Sequence, residues 1–286
     1  MFAPVVGTAP RGVRYPERCG PMVDTLILKL IATPLLIGAA SLAGRRWGPA
    51  VGGWFVGLPL TSGPIALFLA LDHGASFASA AAVGSLTGAL AEAAFCLAYA
   101  AAARTGWPGA LAVATAAFTL TAALLQHAAL SATAAAIAAF AALVVALALL
   151  PRRPAAAPPS AAPAWDLPAR MIITTVLVLA ITGAAATLGP RLSGVLATFP
   201  VYAAILTIFA HRVSAAAAVQ VLRGLVLGLF AFAGFFVVLG ALIEPLGLAA
   251  GFALATAAAL AIQGTSLALV VAMPVSGRLG RILARR

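Results

Sequence analysis

The chain reads Gly48-Pro-Ala-Val-Gly-Gly53-Trp-Phe-Val-Gly-Leu-Pro59 and, 141 residues later, Gly189-Pro-Arg-Leu-Ser-Gly194-Val-Leu-Ala-Thr-Phe-Pro200. Both copies open with Gly-Pro and close with a proline, and Phe68 and Phe209 extend the match at the same offset. Prolines and glycines paired at one offset are hard to obtain from composition alone. Duplicated helical halves are typical of secondary transporters. The sequence therefore indicates an internal repeat.

The repeat continues into the next predicted helix, where each half carries a G-x-x-x-G motif. The glycines of the two motifs are Gly84 and Gly88 in the first half, and Gly224 and Gly228 in the second. Such motifs let helix backbones approach closely, so these glycines are predicted to serve helix packing.

Composition sets the class of protein. The 286 residues are 64% hydrophobic and 8% charged, with a mean hydropathy of +1.13, whereas soluble domains carry about 25% charged residues. This predicts an all-α polytopic membrane protein in contact with lipids. The net charge of +11 comes from arginines scattered between apolar segments, which indicates control of topology rather than nucleic-acid binding. Two cysteines far apart predict neither a disulfide nor a metal site, and no cofactor is expected.

About 20 apolar residues cross a bilayer as a helix, and the chain divides into nine such spans. The predicted spans are 25–43, 49–71, 76–102, 107–127, 131–150, 171–188, 191–210, 214–241 and 246–273. Five spans before the Pro/Ala-rich linker would invert the second half relative to the first, which predicts inverted repeats. The inversion depends on a break near His127; with 107–150 as one span, the repeats would be parallel.

The predicted organisation has four parts. Residues 1–21 form a disordered tail or precede the true start at Met22, and residues 22–150 form the first repeat. A linker occupies 151–169, and residues 170–286 form the second repeat with a basic tail. A signal peptide at the N-terminus is disfavoured, because the first helix has a counterpart at 171–188.

The second half also resembles a known family. Gly194-Val-Leu-Ala-Thr-Phe-Pro200, Ile208-Phe-Ala-His211 and Val221-Leu-Arg223 are similar to the GlpM-like small bacterial inner-membrane proteins. The resemblance covers 171–241 well and 30–103 more weakly, since the first half has Leu58-Pro59 in place of Phe-Pro. It implies two fused copies of a small helical unit in a bacterial cytoplasmic membrane, and it implies no particular activity. With the N-terminus outside and the C-terminus cytoplasmic, most arginines outside the N-terminal tail fall on the cytoplasmic side, as the positive-inside rule favours.

The candidate path residues lie around the paired prolines. A proline inside a helix frees a carbonyl one turn back, and neighbouring hydroxyls can join it in coordinating a solute or ion. The prolines and their hydroxyl neighbours are Pro59, Thr61 and Ser62 in the first half, and Thr198, Pro200 and Tyr202 in the second. A packing kink with internally satisfied hydroxyls is the alternative.

Glu92 and Arg223 are the charged residues deepest in the predicted spans, at similar depth. An isolated charge there costs on the order of 3 kcal/mol, so the two are predicted to pair, either along a translocation path or as a structural ion pair. If Arg223 were not the partner, Glu92 could carry protons. Gln263 is predicted mainly to bond between helices and is a weaker candidate for cargo contact.

The sequence lacks common enzyme motifs, which limits the classes of function to consider. The sequence has no P-loop, no H-E-x-x-H and no G-x-S-x-G, so we expect no enzyme. We expect a secondary transporter or permease for an unidentified small solute, working by alternating access between the repeats. The alternative is a non-transporting accessory subunit of a membrane complex, for instance one for envelope or polysaccharide export. Assembly as a homo-oligomer stays open.

Overall fold

We describe the protein from a computed structural model. It describes residues 30–31, 35, 58–59, 61–128, 130–151 and 166–272. The predicted tail at 1–21, the first span at 25–43 apart from three helical residues, most of the linker and the basic C-terminal tail lie outside these residues. All regular structure within them is helical.

Four helical stretches are long and apolar enough to cross a membrane. They are Ala75–Ala128, Ala132–Leu149, Leu167–Leu188 and Ala215–Thr265. A helix rises 1.5 Å per residue and the hydrocarbon core is about 30 Å thick, so roughly 20 residues suffice for one crossing. The chain is an all-α membrane protein, as its composition predicts.

Eight helices make up the described part. They are α1 (Ser62–His73), α2 (Ala75–Ala102), α3 (Gly106–Ala128), α4 (Ala132–Leu149), α5 (Asp166–Leu188), α6 (Pro190–Ala197), α7 (Val201–Val213) and α8 (Ala215–Ala272). The break predicted near His127 is present between α3 and α4. Ser131 caps α4 there, because its hydroxyl oxygen accepts a hydrogen bond from the Ala134 N–H.

Glycines with positive φ divide the longest helical stretches. Gly106 (φ 81°, ψ 168°) starts α3 after a short 3₁₀ turn, and Gly247 (φ 79°, ψ 176°) bends α8. This backbone region is accessible essentially to glycine alone. Gly247 separates a first arm of α8, residues 215–246, from a second arm, residues 248–272. The bend at Gly247 lies next to the predicted boundary between the spans 214–241 and 246–273.

The prediction that 191–210 is one span with a mid-helix proline is wrong. The segment forms two helices, α6 and α7, with a break at 198–200. Pro200 caps α7 instead of kinking a continuous helix, because proline lacks the N–H that the helix interior needs yet suits a helix start. In the first half, α1 likewise begins just after Pro59, at Ser62. Residues 49–57 of the predicted second span lie outside the described residues.

One further boundary, the end of the linker, differs from the prediction. Helix α5 begins at Asp166, so the last residues assigned to the linker are helical. Pro168 is tolerated there because the first-turn N–H groups of a helix have no partner inside the helix.

The first arm of α8 and α2 form the centre of the protein. Fifteen of the 28 residues of α2 are buried. About 61% of the most apolar part of Ala215–Thr265 is buried, against 22–24% for Ala132–Leu149 and Leu167–Leu188. Large apolar side chains on the outer helices are exposed, including Leu124 (70%), Ile137 (66%) and Ile172 (64%). In a membrane protein these faces suit lipid contact.

Helix α6 lies against the backbone of α2. A β-carbon on Gly84 would overlap the Arg191 carbonyl, and one on Gly194 would overlap the Ala81 carbonyl. The Ser85 hydroxyl donates to the Gly194 carbonyl at 3.4 Å. Only glycine permits this approach, so Gly84 lies at a helix contact, where the sequence places it. Gly224 and Gly228 are buried in the first arm of α8.

The close contact predicts a sharp difference between two glycine substitutions. Gly194→Ala forces the α6 and α2 backbones apart and should destabilise the protein by about 1–3 kcal/mol. Gly183→Ala, in α5, is the matched control, because no atom lies within 4 Å of the added carbon. It should be neutral or stabilising by about 0.5–1 kcal/mol. Thermal unfolding in detergent measures both, and equal midpoints for the two variants would contradict the proposed packing.

Candidate functional site

The break between α6 and α7 satisfies most of its own hydrogen bonds. Pro200 cannot donate to the Leu196 carbonyl, and the Phe199 N–H donates to that carbonyl instead, at 3.1 Å. The Val201 N–H donates to the Phe199 carbonyl at 2.8 Å, and the Thr198 hydroxyl donates to the Val195 carbonyl at 2.6 Å. The expectation that Pro200 leaves a free carbonyl one turn back is therefore wrong. Among the polar atoms that the break offers is the side-chain oxygen of Thr198, which retains its lone pairs.

The start of α1 has a similar arrangement. The Gly63 N–H donates to the Pro59 carbonyl at 2.8 Å, and the Ile65 N–H donates to the Thr61 carbonyl at 3.2 Å. Pro64 has no N–H to offer. Most first-turn donors of α1 are therefore already used or absent, while the side chains of Thr61 and Ser62 are free to face inward.

Both proline segments meet in one cavity of about 30 Å³. A buried water occupies about 10–15 Å³ on this measure, so the cavity has room for two or three waters. Its polar lining comes from Thr61, Ser62, Glu92 and Thr198. Leu58 and Pro200 line it as well, together with apolar side chains of α7 and α8.

Glu92 reaches this cavity because of its position on α2. Gly84, Gly88 and Glu92 recur every four residues and share one face of the helix. A β-carbon on Gly88 would overlap the Thr198 side chain, so Thr198 sits directly against α2 at this point. One turn further, just past the end of α6, the same face presents Glu92.

The Glu92 carboxylate is buried, with 6% of the residue exposed. In the part of the chain that the structure covers, no hydrogen bond or ion pair reaches it. A charged group at this depth costs on the order of 3 kcal/mol on insertion scales. The starts of α1 and α7 lie at the cavity, but each helix N-terminus typically stabilises an anion by only about 0.3–1 kcal/mol, so the two together leave part of that cost uncompensated. Charged Glu92 therefore needs a further positive partner.

Arg223 is not that partner, so the predicted Glu92–Arg223 ion pair is wrong. The Arg223 guanidinium donates to the Leu147 carbonyl at 3.1 Å and also to the Leu150 carbonyl. These carbonyls belong to the C-terminal end of α4, where backbone acceptors have no partner inside the helix and the dipole is negative. Arg223 does not line the cavity.

The other predicted path residues divide between the cavity and its surroundings. Pro59 adjoins the lining residue Leu58. Gln263 is buried in the second arm of α8, away from the lining. Tyr202 belongs to the first turn of α7, and its side chain lies outside the described part. The cavity therefore gathers Thr61, Ser62, Glu92, Thr198 and Pro200, but not Arg223 or Gln263.

A polar contact that was not predicted from the sequence lies further along α2. The Tyr99 hydroxyl lies 3.0 Å from His211 Nδ1, and the two rings meet edge to face at 5.7 Å. Tyr99 follows Glu92 by seven residues, which places both on one face of α2. That spacing was the available signal. His211 and Arg212, which lie between the predicted spans 191–210 and 214–241, form the last turn of α7.

Comparison with known proteins adds no functional information. No protein-family model, no curated protein and no solved structure matches the chain. The function has to be argued from the site itself.

Because Glu92 and Arg223 do not contact each other, substitutions at the two positions should have additive effects on the free energy of unfolding. Arg223→Met leaves carbonyls of α4 without a donor and should cost about 1.5–3 kcal/mol, since hydrogen bonds to charged groups are worth that much. Glu92→Gln removes a buried charge and should leave stability unchanged or raise it. In the double variant the two changes should sum within about 0.5 kcal/mol. Unfolding free energies in detergent test this, and a coupling well above that value would restore the ion pair.

Proposed function

We propose that the protein is a membrane permease or secondary transporter for a small solute, with its path through the cavity at Glu92. The observation that carries the proposal is the meeting of two proline segments with a buried carboxylate that has no partner among the described residues. Polar and ionisable groups inside a membrane are costly and most often mark a transport path. Helix breaks at membrane depth are tolerated where they line such a cavity.

Two internal repeats fit this function. Helix α2 begins at Ala75 and α8 begins at Ala215, each after a helix that follows one of the paired prolines. Gly106 and Gly247, 141 residues apart, interrupt the next helical stretch with nearly equal backbone angles. These similarities support a duplication. Helix α4 lies between the two sets and supports the nine-span model with inverted repeats.

Alternating access would move one repeat against the other around the cavity. Its lining supports this, because α1 and Glu92 belong to the first repeat, and Thr198 and Pro200 belong to the second. We place the protein in a bacterial cytoplasmic membrane with its N-terminus outside and its C-terminus cytoplasmic. The GlpM-like origin of the repeat unit stays a prediction from sequence.

The accessory-subunit function has one observation in its favour. The contact between α2 and α6 is close enough to exclude side chains, as expected of a rigid scaffold. A scaffold needs no access from water to its centre, whereas a permease needs access from both sides in turn.

Cysteine labelling separates the two functions without knowledge of the substrate. In a background lacking Cys19 and Cys96, Ser62→Cys places a thiol in the cavity. A membrane-impermeant thiol reagent should modify it both in intact cells and in inverted vesicles, because each state of a permease opens to one side. Ser85→Cys is the matched control, since Ser85 is equally buried but packs against α6 outside the cavity.

The control thiol should stay unmodified from both sides. Lack of labelling at Ser62→Cys from either side, in a folded protein, would favour the accessory subunit.

The inverted arrangement has its own test. Reporter tags inserted after residue 46 and after residue 189 mark matching points of the two repeats. Inversion places the tags on opposite sides of the membrane, as measured by alkaline phosphatase and fluorescent-protein fusions. Tags on the same side would establish parallel repeats and contradict the nine-span model.

A further inference from the structure

The lining of the cavity favours cations over anions. Anions are held mainly by N–H groups or by cationic side chains, with O–H donors in support. The hydroxyls of Thr61 and Ser62 are the O–H donors of this lining, and each can equally present its oxygen to a cation. The Gly63 and Val201 N–H groups already donate to carbonyls, and Pro64 and Pro200 have no N–H. No Lys, Arg or His lines the cavity among the described residues.

Oxygen acceptors, in contrast, remain available. The Thr198 hydroxyl uses its proton on the Val195 carbonyl, so its oxygen presents only lone pairs to the cavity. The hydroxyls of Thr61 and Ser62 and the carboxylate of Glu92 line the same space. Hard cations such as Na⁺ and K⁺ are bound by oxygens of this kind.

Charge and size narrow the choice of cation. A single carboxylate balances one positive charge, whereas sites for divalent cations usually combine several carboxylates. The 30 Å³ volume accommodates an ion with two or three waters. From these observations we infer that the cavity binds an alkali cation at Glu92, in competition with a proton.

This inference rests on the proposed function, because it names the cargo class of the same cavity. The exchange of one cation for one proton at Glu92 is balanced in charge. When the cation binds, the Glu92 carboxyl releases one proton to the water on the side to which the cavity is open. When the cation leaves, a proton from the other side restores the neutral carboxyl. One carboxylate cannot hold both, so the two movements are coupled one to one.

No other titratable group among the described residues lines the cavity to share this role. Cys96 lies one turn beyond Glu92 on α2, as a buried free thiol. Tyr99, further along α2, contacts His211. On the neighbouring helices, the titratable groups with described side chains outside the lining are Asp72, His73, His127, Arg191, His211, Arg212, Arg223 and Glu244; α4 carries none. The pH dependence of cation binding should therefore follow Glu92.

The test measures cation binding through thermal unfolding of the full-length protein in detergent. At about pH 9, about 100 mM lithium, sodium or potassium chloride is compared with choline chloride of equal concentration, and at least one alkali salt should raise the midpoint by about 3–8 °C. The rise should shrink toward about pH 6, because protons then occupy the carboxylate. Absence of a rise with every alkali salt at both pH values would overturn the inference.

Point variants test whether the cation binds at Glu92 and Thr198. Glu92→Gln should abolish the rise, and Glu244→Gln, the same change at an exposed carboxylate outside the cavity, should retain it. Thr198→Val keeps the shape that packs on Gly88 but removes the oxygen, so cation affinity should fall about tenfold, as expected for one lost ligand. Thr198→Ser keeps the oxygen and should bind nearly as wild type. The comparison of Thr198→Val with Thr198→Ser still tests the cation site if Glu92→Gln fails to fold. A rise that persists in Glu92→Gln, or equal affinities for Thr198→Val and Thr198→Ser, would overturn the site.

A measurement of proton flux distinguishes failure of the cation site from failure of the proposed permease function. Proteoliposomes with an internal pH-sensitive dye should show proton movement when the same alkali salt is added outside, and Glu92→Gln should not. Labelling of Ser62→Cys without any cation effect would overturn the cation site and leave a permease for another solute. Cation binding without flux or labelling would overturn exchange and the permease together.

Discussion

The close backbone contact between α2 and α6 positions the rest of the site. Glycines at 84, 88 and 194 let a short helix lie directly on a long one. Because α6 ends opposite Gly88, the break at 198–200 falls beside the next turn of α2, which carries Glu92. Larger side chains at these three glycines would move the break away from the carboxylate. The small size of a few residues therefore decides where the polar atoms of the protein meet.

The membrane interior explains how the break is built. A backbone group without a partner costs several kcal/mol in hydrocarbon, so an interrupted helix must satisfy its own donors and acceptors. Short-range bonds from Phe199 and Val201, together with the Thr198 hydroxyl, do this locally. Phe118 on α3 packs edge to face on Phe199 and covers the break from the side. With the donors used in this way, the oxygens remain for a ligand.

Glu92 and Arg223 show two solutions to the cost of a buried charge. Arg223 has a long side chain with several donors, and it reaches the carbonyl end of a neighbouring helix. Glu92 has a short side chain that can only accept hydrogen bonds when it is charged. Among the described residues around it, the hydroxyls of Thr61 and Ser62 have protons to donate, but neither donates to it, and the other groups are apolar or have already used their donors. Its charge therefore depends on something that enters the cavity, which is the property expected of a coupling residue rather than of a structural one.

The sequence by itself determined the class of protein, most helix boundaries in the described part, and the polar side chains that meet in the cavity, although it also assigned Arg223 and Gln263 to the path. Hydropathy and the spacing of prolines and glycines are local properties, so they can be read along the chain. The prediction of an ion pair between Glu92 and Arg223 failed because similar depth in two helices does not fix which faces meet. Whether Pro200 kinks one helix or separates two also depends on the support from α2 and α3. Only the tertiary structure decided these points, since partner choice follows from how the helices pack against one another.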